Sequence, residues 1–323
     1  MTRDASSSSV RRTAVLALGG NALARSDEPP TIANQFRHAR ESVAPIVELA
    51  RQGWRIVIVH GNGPQVGDEL VRNEAARKVV EPLPLGVLVA ETAGWIGYML
   101  QQTLQNALAA ARVEREVVTV ITQTLVDRYD AALNEPTKPI GHPVTPQEAA
   151  RIRDAGRSVG KDGAGQWRRM ATSPMPLGVV EFPVIKRLLD LGMLVVAAGG
   201  GGPPVYQDPI LGLEGLDAVV DKDRVSSILA SQLDAEVLMI LTNVDAVFED
   251  WGTPKARPIR RMTVEQAERM IAAGSLDAGG MKPKIEAAVG FVRRGGARAI
   301  IARLSEGPAA LRGETGTTIT RTP

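Results

Sequence analysis

Three glycine clusters, Gly19-Gly20-Asn21, Gly61-Asn62-Gly63-Pro64 and Gly199-Gly200-Gly201-Gly202-Pro203, each directly follow a short apolar run. Bare backbone N–H groups at helix N-termini form concave anion sites, and several converging at one sheet edge suit a phosphoryl group in transit between two anions. One such junction means little, because glycine there can serve only a tight turn. Three in one chain point to phosphoryl transfer. None fits G-x-x-x-x-G-K-[ST] or G-x-G-x-x-G, which sets aside a P-loop enzyme and a standard dinucleotide fold.

The second set of candidates is cationic. Of 38 basic residues only 8 are lysine, and where a lysine stands in so arginine-rich a chain a compact ammonium is the candidate requirement. Codon bias explains the excess of arginine on the surface. Lys222 sits in Asp221-Lys222-Asp223 at a strand-to-helix junction, where an ammonium and a helix N-terminus could both face a phosphate. Lys284 follows a glycine pair in Gly279-Gly280-Met281-Lys282-Pro283-Lys284, and Lys138 lies in Pro136-Thr137-Lys138-Pro139-Ile140-Gly141. A solvated lysine, or for Lys222 a local salt bridge, is the simpler alternative; Asp223 could equally hold two lysines in orientation, as an active site requires. His38, His60 and His142 have no metal-ligand spacing. The absence of cysteine excludes a disulfide scaffold, a thiolate zinc site and a thiol nucleophile.

The elements that must hold these residues alternate. Continuously apolar, β-branched runs at 13–18, 54–60, 117–122, 193–198, 237–242 and 298–304 predict parallel strands covered on both faces. Helical patterns lie between them, at 32–52, 65–79, 87–111, 178–191, 222–233, 263–273 and 282–295, the sixth opened by a capping box of Thr263 and Gln266. This order predicts an α/β fold, a three-layer αβα sandwich with an open, mainly parallel sheet and ligands at the carboxyl ends of its strands. Residues 127–176 interrupt the rhythm with Pro, Gly and charge, an insertion whose length argues for a lid or binding subdomain. Residues 199–217 read as a hinge between two lobes, and Glu91 to Leu100 as a packing helix, with a subunit contact as one use of its face.

Charge and hydropathy limit the partners. A net charge of +2 with both signs interspersed argues against nucleic acid. No run approaches the roughly 18–20 apolar residues of a membrane span. Ser9 to Leu18 superficially resembles a twin-arginine export signal, but its apolar run ends after six residues at Gly19-Gly20-Asn21 and reads as the first strand. The expectation is a cytoplasmic protein with a disordered tail at 1–12.

Taken in order, Ala17 to Ala22, His60 to Gly67, Pro136 to Gly141, Gly199 to Pro203, Asp221-Lys222-Asp223, Leu241-Thr242-Asn243-Val244-Asp245 and Pro283 to Ala288 resemble the motifs of the carbamate kinases over essentially the whole chain after residue 12. The glycine clusters alone would indicate only the wider amino-acid-kinase superfamily. The inserted Pro136 to Gly141 segment and a glycine where acetylglutamate kinases carry lysine in the first motif point to the carbamate branch.

The resemblance implies a homodimer catalysing ATP + carbamate ⇌ ADP + carbamoyl phosphate with Mg²⁺. It implies an N-terminal carbamate-binding lobe at 13–212, with a protruding subdomain at about 127–176, and a C-terminal nucleotide-binding lobe at 213–323. Lys138 and Lys222 would contact the transferring phosphoryl and carbamate groups, Lys284 the nucleotide phosphates, and Asp223 would orient the lysines. Gly19 would lie at the phosphates; Gly20, Asn21, Gly61, Asn62, Gly63, Gly200 and Gly201 would donate N–H groups, and Thr242, Asp245 and Met281 would lie near the nucleotide. Two alternatives share the fold: a kinase of another acceptor, such as acetylglutamate or uridylate, and a non-catalytic nucleotide sensor. The retained lysines and Asp223 argue against the sensor, which need not stabilise a transferring phosphoryl. Gly141-His142-Pro143 and Ala93 depart from the usual pattern of the family.

Overall fold

The computed structural model describes residues 12–19, 23, 28–276 and 280–323. The main sheet contains β1 (Thr13–Leu18), β2 (Arg55–His60), β3 (Val117–Thr119), β9 (Leu194–Val196), β12 (Val237–Thr242), β15 (Arg261–Thr263), β16 (Arg298–Arg303) and β17 (Thr317–Thr320). Its spatial order is β15-β17-β16-β12-β1-β2-β9-β3. Every pairing is parallel except β16 with β17, as the βα alternation predicts.

Alternation along β1 shows why there are three layers. Ala14, Leu16 and Leu18 join one core with α1 (Ile32–Ser42), α2 (Ala44–Arg51) and α4 (Leu85–Ala110). Val15 and Ala17 join the other, with α6 (Phe182–Asp190), α7 (Lys222–Gln232), α8 (Val264–Ala272) and α9 (Lys282–Arg293). A strand buried on both faces has no polar side to show, hence its unbroken apolar run. The pattern read as one helix over 32–52 is two, because Pro45 in the first turn of α2 cannot donate to the preceding turn. The Thr263 and Gln266 capping box is formed.

The inserted segment folds more than its composition suggests. Three short antiparallel strands, β5 (Lys138–Ile140), β6 (Val159–Lys161) and β7 (Trp167–Ala171), pair in the order β5-β7-β6, with α5 (Pro146–Asp154) beside them. A second sheet, ordered β11-β10-β4-β8, uses β4 (Thr124–Val126), β8 (Pro176–Val179), β10 (Pro204–Asp208) and β11 (Gly212–Gly215). The stretch expected as a hinge therefore begins as a buried turn at Gly199–Gly201 and continues as the β10–β11 hairpin. A further hairpin joins β13 (Val247–Glu249) to β14 (Arg257–Ile259). The predicted tail lies outside the described residues except Arg12, whose guanidinium stacks 4.3 Å above the Trp54 ring.

The lid is anchored on α3 (Gly63–Ala76). Ile140 and Ala171 share an apolar cluster with Val66 of α3 and Leu88 and Val89 of α4. Arg169 grips Glu74 through two bonds of 2.7 and 2.8 Å. Gly141 donates its N–H to the Gly63 carbonyl at 2.9 Å, and here backbone meets backbone: a Cβ on Gly67 would collide with the Gly141 main chain. Gly141-His142-Pro143 thus docks the lid, with His142 Nε2 3.5 Å from Asp68.

Gly67→Ala should lift β5 from α3, at the cost of about 1–3 kcal/mol usual for overpacking. In hydrogen exchange the β5 and β7 amides should then exchange at least about tenfold faster while β1 and β12 amides stay protected. Unchanged lid protection would show that the close approach does not hold it.

Candidate active site

Parallel strands in register bring their carboxyl ends to one edge. Leu18 pairs with both His60 and Leu241, so the turns after β1, β2 and β12 sit side by side. The turn after β9 joins them, since Gly199 and Gly200 lie against the side chains of His60 and Asn62. A cleft of about 560 Å³ opens at this edge, lined by Gly61, Asn62 and Gly63, by Lys138 of the lid, by Gly200, and by Asp221, Lys222, Asp223 and Lys284. Four of the five segments singled out by motif thus meet in one cavity, together with the lid.

The charged residues form a chain of ion pairs. Asp223 is 3% exposed; it accepts from Lys222 Nζ at 2.6 Å and from Lys284 Nζ at 3.4 Å, one on each oxygen. Burial pushes the Asp223 carboxyl up, but the Lys222 and Lys284 charges override it and hold the pKa below the usual carboxylate range. Burial also lowers the Lys222 pKa, against the pull of Asp223. Asp221 divides its carboxylate between two tasks. One oxygen caps α7, accepting from the N–H groups of Asp223 at 2.9 Å and Arg224 at 3.2 Å. The other pairs with Lys138 Nζ across the cleft. Burial opposes its charge as well, and Lys138 and Lys222 overcome that opposition, leaving the pKa well below the ordinary value. Asp221 was not among the sequence-derived site residues, although an Asp at a helix N-cap was a legible signal. Its lid partner is 83 positions away.

The glycine turns divide between donors and spacers. The N–H groups of Asn62 and Gly63 stand at the start of α3, where a helix leaves its first donors unsatisfied. The Asn62 amide is itself fixed by donation to Thr92 Oγ at 2.8 Å, which gives α4 a positioning role beyond packing. Gly61 and Gly201 do not serve as the expected donors: their N–H groups are already given to the Leu18 and Ala198 carbonyls at 3.1 and 2.9 Å. Gly19 likewise donates to Leu241 at 2.9 Å. What Gly200 and Gly201 supply is shape, since both have positive φ and a Cβ on either would strike the Asn62 side chain or the Val220 carbonyl. Ala93 packs beside Gly199, where a larger side chain has no room. Gly20 and Asn21 lie outside the described residues.

Beyond Lys284 the cleft adjoins a second slot, lined by Thr242, Val244, Phe248, Trp251, Leu276 and Met281 among others. Asp245 is not among its lining residues. Phe248 and Trp251, which the sequence reading passed over, form a tilted pair with centroids 5.1 Å apart. The slot measures about 40 Å³, so a purine enters only if these rings part. Lys284 lines both cavities, which places one ammonium between a flat apolar slot and the charged cleft.

His60 ends β2 but supplies no acid or base near neutrality. Burial pushes its pKa down to about 4, so the folded protein keeps a neutral imidazole.

These features belong to a recognised group. The profile of the amino acid kinase family matches residues 12–303. The carbamate kinase of Pyrococcus horikoshii is 41% identical over 309 residues, covering 95% of this chain and 98% of that protein. The carbamate kinase of Haemophilus influenzae is 42% identical over 308 residues, at 95% and 96%. The chain belongs to the carbamate kinase branch of the amino acid kinase family. The solved carbamate kinase of Giardia lamblia bound to AMP-PNP superposes with a TM-score of 0.87 at 37% identity, over 96% of this chain and 99% of that one; the same enzyme bound to citric acid reaches 0.91. An N-acetylglutamate synthase from Neisseria gonorrhoeae, 16% identical with a TM-score of 0.58, shares the fold alone. The family match thus spans both layers of helices and the inserted lid.

The buried neutral His60 has a pH consequence. Between its unfolded value near 6.5 and about 4, the unfolded chain binds a proton that the folded chain does not. Stability therefore falls as pH drops through that window, by up to about 1.4 kcal/mol per unit. His60→Gln should flatten the slope of unfolding free energy between pH 6 and 5 by that amount, measured by urea titration; an unchanged slope would contradict the assignment.

Proposed function

We propose that this chain is a carbamate kinase, an ATP-dependent phosphotransferase catalysing ATP + carbamate ⇌ ADP + carbamoyl phosphate. The observation that carries the reading is the convergence of Lys138, Lys222 and Lys284 on one cleft, with Lys284 also lining a smaller neighbouring slot. The N-terminal elements and the lid supply the acceptor side, and the elements after residue 213 the nucleotide side.

The chemistry follows from charge. Carbamate's oxygen is already anionic, so it attacks the γ-phosphorus without a general base, in keeping with the neutral, buried His60. A P–O bond forms to carbamate as the bond to the β-phosphate oxygen breaks, and ADP departs with that electron pair. What the protein must provide is in-line placement of two anions and neutralisation of the charge spread over the equatorial oxygens. Lys138 approaches from the lid and Lys222 from the α7 N-terminus, while Lys284 faces the nucleotide phosphates. The Asn62 and Gly63 N–H groups supply directed donors that need no reorganisation. Asp223 keeps Lys222 and Lys284 at fixed positions.

Mg²⁺ enters this reading with the nucleotide. Among the described residues no group of three or more His, Asp or Glu is arranged to hold a metal, and the Asp221 and Asp223 carboxylates are engaged by lysines. That fits an ion carried mainly by substrate phosphates and water, its common mode of binding.

A homodimer and a cytoplasmic location belong to the same reading. Among the described residues strand β3 is the last of the main sheet at one end, and Tyr98 on the adjacent α4 is 57% exposed; an open edge beside an exposed aromatic side chain favours a second copy. No helix among the described residues is long and apolar enough to cross a membrane. Sedimentation of the purified chain should show a dimer, and a monomer at micromolar concentration would remove that part.

The function is tested by ATP formation from ADP and carbamoyl phosphate, with acetylglutamyl phosphate as the control phosphoryl donor. Turnover is expected with the first and not the second, and Lys222→Ala should lower kcat about a hundredfold, on the order of 3 kcal/mol. Preference for acetylglutamyl phosphate would replace the reading with that of a sibling kinase.

A further inference from the structure

The lid carries Lys138 into the cleft, yet nothing in β5 itself fixes where the ammonium points. β5 is three residues long and its Lys138 side chain is 34% exposed. The polar contacts that dock the lid, Gly141 to Gly63 and Arg169 to Glu74, lie on α3, the apolar ones on α3 and α4, and none of these involves the lysine. Among the described residues the Lys138 ammonium donates to Asp221, whose side chain is 7% exposed and part of the α7 cap.

A carboxylate here is costly on its face. It stands beside a cleft where two anionic substrates must meet, and like charges in a dry site repel strongly. Capping alone does not require the charge, because Asn, Ser and Thr cap helices as well as Asp. The second oxygen is therefore the one that needs explaining, and among the described residues its side-chain partner is Lys138.

We propose that Asp221 is a positioning residue for the transfer reaction, which holds the Lys138 ammonium in the cleft and in register with Lys222. The inference rests on the carbamate kinase reading. Asp221 does not touch substrate; it acts through Lys138. By sharing its carboxylate with the α7 cap it ties the lid's cation to the helix that carries Lys222 and Asp223, so the lid lysine and the body lysine are referenced to one rigid point. Arriving substrate then meets two ammonium groups already in place rather than one fixed and one wandering.

Asp221→Asn separates the two tasks, because Asn keeps an oxygen for the cap and removes the charge facing Lys138. Folding should be preserved, seen as an unchanged melting temperature within a few degrees. In ATP formation from ADP and carbamoyl phosphate, kcat should fall at least tenfold, while KM for carbamoyl phosphate stays the same or decreases because a negative charge has left the anion site. A merely structural defect would raise KM or lower the active fraction, and kcat is therefore referred to active sites counted by titration, so that a loss of folded enzyme does not pass for a loss of positioning. Lys138→Met supplies the second arm: if Asp221 works through Lys138, adding Asp221→Asn to Lys138→Met should change kcat less than twofold. Independent, multiplying losses in the double variant, or a raised KM at unchanged kcat in the single variant, would overturn the role. A wild-type chain that forms no ATP from carbamoyl phosphate would instead defeat the parent reading, and this one with it. An active wild type with multiplying losses would defeat only the Asp221 assignment.

Discussion

Asp223 must remain ionised while almost cut off from solvent, and the working geometry of the cleft depends on how that is achieved. A lone carboxylate in such a place would take up a proton, because burial penalises charge. Lys222 and Lys284, one on each oxygen, prevent this. The arrangement contributes little net stability, since desolvation of the ions offsets their attraction. Removing one partner is another matter, and typically costs about 3–5 kcal/mol because an unpaired charge is left behind. The two lysines are therefore pinned far more firmly than surface ion pairs, which contribute about 0–1 kcal/mol. Cations that must meet a transferring phosphoryl cannot be left to wander, and burial of their shared counter-ion is what holds them.

The sheet and the lid supply what that network lacks. Parallel pairing in register brings the ends of β1, β2, β9 and β12 to one edge, so that N–H donors and lysines from distant segments face the same volume. Glycines in the turn after β9 let main chain approach main chain where any side chain would intrude. The lid brings a third ammonium from outside the sheet altogether. It is seated by packing of Ile140 and Ala171 against Val66, Leu88 and Val89 and by the bidentate Arg169–Glu74 pair. Apolar contact and a planar fork set its position, and Asp221 faces the lysine it delivers.

Some of this was legible in the residues alone because the signal was local. A strand buried on both faces must be apolar throughout, so β1, β2, β12 and β16 announced themselves, as did helices with caps such as Thr263. The lid strands did not, because strands of three to five residues half open to solvent carry neither a long apolar run nor clear alternation. Phe248 and Trp251 escaped notice because a three-residue strand and the turn after it are too short to show a period. Gly61 and Gly201 were taken for donors because a sequence shows that an N–H exists and not where it is already spent.

The chain's own order of residues determined which groups could do chemistry: scarce lysines, glycine turns after strands, and an Asp-Lys-Asp junction opening a helix. These are properties of residue type and near neighbours, which short-range sterics and hydrogen bonding decide. Tertiary structure alone decided the pairings. Lys284 meets Asp223 from 61 residues away and Lys138 meets Asp221 from 83. Such contacts exist only once the sheet has closed and the lid has packed on α3, because charge attraction falls away in water and becomes selective only where burial has removed the solvent.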